Sequence, residues 1–189
     1  TEIYKKYIEK MGEDGYAYVS KEGATEENGR EEVIRFKNPN KKVSFEDTLR
    51  GMVEFDTTDL GDFVIAKSVS EPLYHSASVI DDLDMGITHI IRGDDILSST
   101  PRQLLLIEAI GAKPPVYTHI PLILSPERAK LSKRHGATAV TEYRDQGYLP
   151  SAILNYLALL GWNPGTEQEI FTLDELIKQF DVTQINKGG

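Results

Sequence analysis

Apolar residues at helical spacing open the chain: Ile3, Tyr4, Tyr7, Ile8 and Met11 predict a helix within the first eighteen residues. Gly15 ends it, ahead of the aromatic pair Tyr16 and Tyr18. Residues 20–32 are polar and rich in Glu and Gly, the pattern of a surface loop. Short apolar runs at 33–36, 43–45 and 52–55, punctuated by Asn38-Pro39-Asn40, predict strands. The first third therefore reads as a small α+β module.

The pattern changes in the middle. Apolar runs at 63–66, 77–80, 87–91 and 120–124 are continuous rather than alternating, as strands buried on both faces of a parallel sheet would be. Between the last two lies a helix. Thr100 can cap it, Pro101 suits its first position, Gln103 completes a capping box and Gly111 can close it. Strand, helix and strand make a βαβ unit, which implies an α/β domain with a right-handed crossover. The last third is helical. Pro150 opens a helix with Ile153, Leu154, Leu157 and Leu160 on one face, and Gly161 stops it. Thr172 with Glu175 forms a second capping box, and Phe171 with Leu176 a hydrophobic staple.

Composition narrows the chemistry. The 189 residues contain no cysteine, which excludes a disulfide framework and a thiolate zinc site. No apolar run reaches the length of a membrane span. The net charge of −9 argues against a dedicated nucleic-acid-binding module, whose affinity rests on neutralising phosphates. It leaves room for an enzyme that keeps its positive charge local.

One such concentration exists. Arg128, Lys130, Lys133 and Arg134 lie within seven residues, in the run Arg-Ala-Lys-Leu-Ser-Lys-Arg-His135-Gly136. Ammonium groups on a loop after a strand could neutralise a triphosphate and stabilise charge on a departing pyrophosphate. A solvated basic turn would read the same way. Upstream, Arg92 follows the apolar run 87–91 in Ile-Ile-Arg92-Gly93-Asp94-Asp95. The carboxyl end of a strand is where open α/β sheets bind ligands, and a guanidinium there can clamp a carboxylate through two hydrogen bonds. An ion pair of Arg92 with Asp94 or Asp95, bracing the loop, is the competing reading.

These segments resemble glutamyl-tRNA synthetases, members of class I of the aminoacyl-tRNA synthetases. Lys130-Leu-Ser132-Lys133-Arg134 is similar to the class signature KMSKS in its bacterial glutamyl form, with His-Gly-Ala after it. Gly86-Ile-Thr-His-Ile-Ile-Arg92-Gly-Asp-Asp95 and Ser99-Thr-Pro-Arg-Gln103 follow the family's GITHVIRGDD and SSTPRQ. Pro72-Leu-Tyr74-His-Ser-Ala-Ser78-Val-Ile-Asp-Asp82 is similar to its PTYHFAVVVDD. Leu49-Arg50-Gly51 and the stretch 143–157 also fit, so the likeness covers almost the whole chain and is weakest over 20–32.

The resemblance implies the second half of a class I Rossmann-like domain (78–140), preceded by an α+β connective insertion (1–77) and followed by the start of a helical stem-contact domain (141–189). It implies that Tyr74, Ser78 and Arg92 bind glutamate. Asp95, Ile123, Lys130, Ser132, Lys133 and Arg134 would bind ATP, with Lys130 and Lys133 acting in catalysis. Ser78 stands where relatives carry other residues, and Tyr74 reads equally as a core aromatic. ATP with Mg2+, L-glutamate and tRNA-Glu are the implied ligands, in a cytoplasmic, monomeric parent with no membrane partner. The cysteine-free insertion gives no reason to expect zinc.

The other class signature, HIGH, is not found. With Thr1 in place of Met and Lys187-Gly-Gly at the other end, the expectation is an internal fragment, inactive alone. Rival readings are the paralogue that attaches glutamate to queuosine in tRNA-Asp, a glutaminyl enzyme and a non-catalytic tRNA-binding module. From another class comes a magnesium phosphohydrolase built on Asp81, Asp82, Asp84, Asp94 and Asp95.

Overall fold

A computed structural model describes residues 2–22, 32–124 and 139–187. The chain divides into two compact units: residues 1–46, 52–90 and 96–117 form the first, and 47–51, 91–95 and 118–189 the second.

The first unit opens with helix α1 (Glu2–Glu13), which buries Ile8 and Met11 and carries Lys5–Glu9 and Lys10–Asp14 pairs one turn apart on its outer side. It is shorter than the expected span because Gly15 takes a left-handed φ of 79°, and the Tyr16 amide turns back to the Met11 carbonyl at 2.8 Å. Tyr18, expected beyond the helix, lies in strand β1 (Ala17–Lys21). Strand β1 pairs antiparallel with β2 (Glu32–Phe36), β2 with β5 (Phe63–Ser68), and β5 with the short β6 (Glu71–Pro72). The run at 63–66 is thus a strand, but an antiparallel one; its continuous burial arises at the centre of that sheet, where Ile65 and Ala66 are fully buried.

Helix α2 (Tyr74–Asp84) takes in the run 77–80, which was expected as a strand. Four apolar residues carry no period, so length and flanking context decide, and here Val79 and Ile80 are two members of a helical face. Helix α3 (Thr100–Ile110) is almost wholly buried on its inner side, and Gly111 closes it at φ 76°. Its N-cap is Ser99 rather than Thr100, and no side chain caps it. Gln103 instead donates to the Ser78 hydroxyl at 2.9 Å, tying α3 to α2. Ile8, Met11, Phe36, Ile65, Ile80, Leu105, Leu106 and Tyr117 belong to one continuous core.

A second sheet has the strand order β4-β3-β8-β7, from β3 (Lys42–Asp47), β4 (Gly51–Asp56), β7 (His89–Gly93) and β8 (Val116–Ile120). Strand β8 ends where the run 120–124 was expected to begin, and residues 121–123 carry no regular structure. Pro121 supplies no N–H for a ladder, which fits a strand that stops at Ile120. Strand β7 is less buried than expected: it stands at the end of the strand order, and Ile91 is exposed. The final residues of β3, β7 and β8 belong to the second unit.

That unit continues with α4 (Val140–Asp145), α5 (Pro150–Leu159) and α6 (Leu173–Gln179). Thr172 and Glu175 form the expected capping box, and Phe171 and Leu176 are both buried against Trp162. The expected apolar face of α5 is not the buried one: Leu154, Leu157 and Leu160 are exposed, while Ala158 and Leu159 pack on the Trp162 cluster. No helix among the described residues is long and apolar enough to cross a membrane.

Candidate functional site

Three strand ends of the second unit bring polar groups together. Asp47 closes β3, Arg92 stands near the end of β7 and His119 near the end of β8. Asp47 and His119 have no solvent-exposed side-chain surface. Asp47 Oδ1 accepts the backbone amides of Leu49 and Arg50, each at 3.0 Å, which folds the turn after β3. Its Oδ2 accepts the His119 backbone amide at 2.9 Å and lies 2.7 Å from His119 Nδ1. On the other side of the ring, Arg92 Nε donates to His119 Nε2 at 3.0 Å.

Those contacts fix the ring's proton. Nε2 accepts from a guanidinium, so it carries no hydrogen; Nδ1 holds the proton and donates it to Asp47. Burial pushes the His119 pKa down, and the Arg92 and Arg50 cations add to this against the opposing pull of Asp47, so it lies below the ordinary 6.5. Burial pushes the Asp47 carboxyl up, but the bonds from the His119 side chain and the Arg50, Leu49 and His119 amides outweigh it and hold the pKa below 3.8. A neutral imidazole between an anion and a cation is the state both shifts favour.

The rest of the Arg-Gly-Asp-Asp run is positioned around this line. Asp94 Oδ2 accepts from Arg50 Nη2 at 2.7 Å, joining the turn after β3 to the end of β7. Gly93 makes room: a Cβ there would lie 2.6 Å from Asp95 Oδ1, so that carboxylate would have to shift, and a tight 3.3 Å from Leu122 Cδ2. Leu49, Arg50, His119, Pro121 and Lys187 line a shallow cavity of about 250 Å³ beside the cluster. What this assembles is a half-buried guanidinium held by a neutral ring, suited to meeting a carboxylate.

The sequence-predicted residues fall as follows. Arg92 is the penultimate residue of β7, and Asp95 lies in the 3-10 helix that follows it, Asp94–Ser99. Ile123 lies three residues past β8 and is about half exposed (49%). In the first unit, Tyr74 is the first residue of α2 and 60% exposed, so the reading of it as a core aromatic does not hold. Its ring meets His75 edge-on at 5.4 Å. Ser78 sits one turn on, with its hydroxyl accepting from Gln103. Lys130, Ser132, Lys133 and Arg134 lie outside the described residues. Asp47, Arg50 and His119 were missed as site residues. The signal for them was thin: an Asp three residues before an Arg-Gly pair and a His near the end of a short strand, 72 positions apart.

Among the described residues no group of three or more His, Asp or Glu is gathered to hold a metal. Of the carboxylates invoked for a phosphohydrolase, Asp81 accepts from the Tyr4 hydroxyl at 3.0 Å and Asp94 from Arg50 at 2.7 Å.

Comparison with known proteins places the chain. A glutamate–tRNA ligase of Carboxydothermus hydrogenoformans is 44% identical over 221 aligned positions, which cover 99% of this chain and 46% of that protein. Glutamate–tRNA ligase 1 of Alkalilimnicola ehrlichii is 53% identical over 164, covering 86% and 35%. The crystal structure of a glutamate tRNA ligase from Elizabethkingia meningosepticum, in complex with its amino acid, superposes with a TM-score of 0.87 at 33% identity, covering all of this chain and 49% of that one. This chain spans about half the length of such relatives, or less. The family model "tRNA synthetases class I (E and Q), catalytic domain" matches residues 21–189. Because that match leaves out only the first twenty residues, the chain belongs to the catalytic-domain family of the class I tRNA synthetases for E and Q.

Proposed function

We propose that the chain is part of an ATP-dependent glutamate–tRNA ligase. In that reaction a glutamate carboxylate oxygen attacks the α-phosphorus of ATP, the bond to the β-phosphate oxygen breaks, and pyrophosphate leaves. A hydroxyl of the terminal ribose of tRNA-Glu then attacks the glutamyl carbonyl, the acyl–phosphate bond breaks, and AMP leaves. Residues 78–140 serve as the second half of the Rossmann-like domain, 1–77 as the connective insertion that meets the acceptor stem, and 141–189 as the start of the stem-contact domain. The supporting observation is the Arg92–His119–Asp47 line in a chain whose relatives are named as glutamate–tRNA ligases.

Arg92 receives the side-chain carboxylate of glutamate, the group that glutamine replaces with an amide, with Tyr74 and Ser78 as further contacts to the amino acid. Asp95 and Ile123 attend the adenosine. Lys130 and Lys133, helped by Ser132 and Arg134, hold the phosphates and offset charge on the departing pyrophosphate. Mg2+ enters with the ATP phosphates. The enzyme acts in the cytoplasm as a monomer.

The chain on its own supplies only one of the two class signatures, and the test follows from this. It is expected to bind ATP weakly, with binding abolished by Lys133→Ala, and to show no glutamate-dependent ATP–pyrophosphate exchange. ATP binding indifferent to Lys133→Ala would remove the phosphate role of the loop. Robust exchange by the isolated chain would contradict its reading as half a site.

A further inference from the structure

Arg92 is a long side chain with rotamer entropy to lose, and a carboxylate clamp binds more tightly when the guanidinium plane is set before the ligand arrives. Its Nε–H is committed to His119 at 3.0 Å, so a carboxylate would be met by the terminal amino groups. The ring that accepts this bond is itself fixed from behind: Asp47 Oδ2 takes both the Nδ1 proton and the His119 backbone amide, and Asp47 Oδ1 is anchored by two amides of its own turn. Every link is buried or half-buried and lies within one compact unit.

We propose that His119 and Asp47 are positioning residues for substrate recognition: the carboxylate fixes the imidazole in its Nδ1–H tautomer, and the bare Nε2 holds the Arg92 guanidinium in the orientation that receives the amino acid. This rests on the assignment of Arg92 to a glutamate carboxylate but goes beyond it, because neither partner need touch the substrate. Ring geometry alone does not require a particular tautomer. With the proton on Nε2, two donors would face each other at Arg92 and a lone pair would face the Asp47 anion.

Two substitutions separate positioning from packing. In His119→Asn the side-chain amide reaches only the Nδ1 position, so it can keep the bond to Asp47 and loses Arg92. In His119→Gln the carbonyl reaches the Nε2 position and can still accept from Arg92. The Arg92 Nε–H signal, followed by nitrogen-resolved NMR of the 189-residue chain, is expected to be protected from exchange in the wild type. It should stay protected in His119→Gln and lose protection in His119→Asn. L-glutamate affinity is expected to follow the same order, with His119→Asn weaker by about tenfold, the worth of one hydrogen bond to a charged group.

Equal loss in both variants, or in neither, would overturn the proposal. If neither variant folds, the wild-type imidazole spectrum decides: Nδ1 protonated and Nε2 bare supports the proposal, and the reverse tautomer ends it. Arg92→Leu keeps the two claims apart. Unchanged glutamate affinity in that variant would sink the substrate assignment, while the tautomer and exchange results would still judge the positioning pair.

Discussion

Asp47 illustrates how much one buried carboxylate can organise. It accepts four hydrogen bonds, from three backbone amides and one imidazole, and all but the Arg50 amide bond are buried. Asp47→Ala is therefore expected to destabilise the chain by about 1–3 kcal/mol or more, the cost of leaving buried donors unsatisfied. Denaturant unfolding would measure it; a change within experimental error would show that the donors find other partners. The pH dependence follows from the same line. His119 is neutral in the fold, between Asp47, Arg50 and Arg92 and with Lys187 on the adjoining cavity, and its folded pKa lies below the unfolded 6.5. Between those two values the unfolded chain binds a proton that the folded chain refuses, so stability is full above 6.5 and declines as pH falls through this window. Asp47 adds a second loss lower down, as pH drops from its unfolded 3.8 through its depressed folded value. Unfolding midpoints measured from pH 7 to 4 should fall in the wild type, and the upper part of that fall should be absent in His119→Gln. At this scale the sequence draws attention to Arg92 but not to the groups that hold it. A guanidinium at a strand end beside Gly-Asp-Asp is a local signal, whereas Asp47 and His119 meet only through folding, across 72 positions.

Elements were legible where local chemistry set them and obscure where packing did. The Thr172–Glu175 box reads directly from residue types three apart, and it forms as expected, with Glu175 Oε2 accepting the Thr172 amide at 2.7 Å. Gly111 likewise closes α3 in the left-handed conformation that few other residues tolerate. By contrast the run 77–80 proved helical, because burial on one face of α2 and burial in a strand produce the same four letters. The face of α5 was misassigned for a related reason. Leu154 and Leu157 satisfy the helical period, but the Trp162 cluster takes Ala158 and Leu159 instead. A capping test belongs here. Thr172→Ala should cost about 0.5–2 kcal/mol by removing the acceptor of the Glu175 amide. Thermal unfolding that reports no loss would mean that α6 is held by Phe171 and Leu176 alone.

At the scale of the molecule, composition said little and motifs said much. A net charge of −9 does not point to this family, since a total says nothing of where cations gather. The family was legible because two separated segments, around Arg92 and around Lys130–Lys133, each carry its pattern, and the family match over residues 21–189 agrees. The rest of the fold is not local: which strands pair antiparallel, and which turn brings Asp47 to His119, depend on contacts far apart in sequence.

The most direct test of the account is an NMR titration of the chain with L-glutamate and, separately, L-glutamine. Glutamate is expected to shift the Arg92 guanidinium signals and the Tyr74 ring, and to bind about 10-fold or more weaker after Arg92→Leu, while glutamine leaves those signals in place. Glutamate-induced shifts that bypass Arg92, or an amide ligand that moves it equally well, would contradict the assignment on which the proposed chemistry stands.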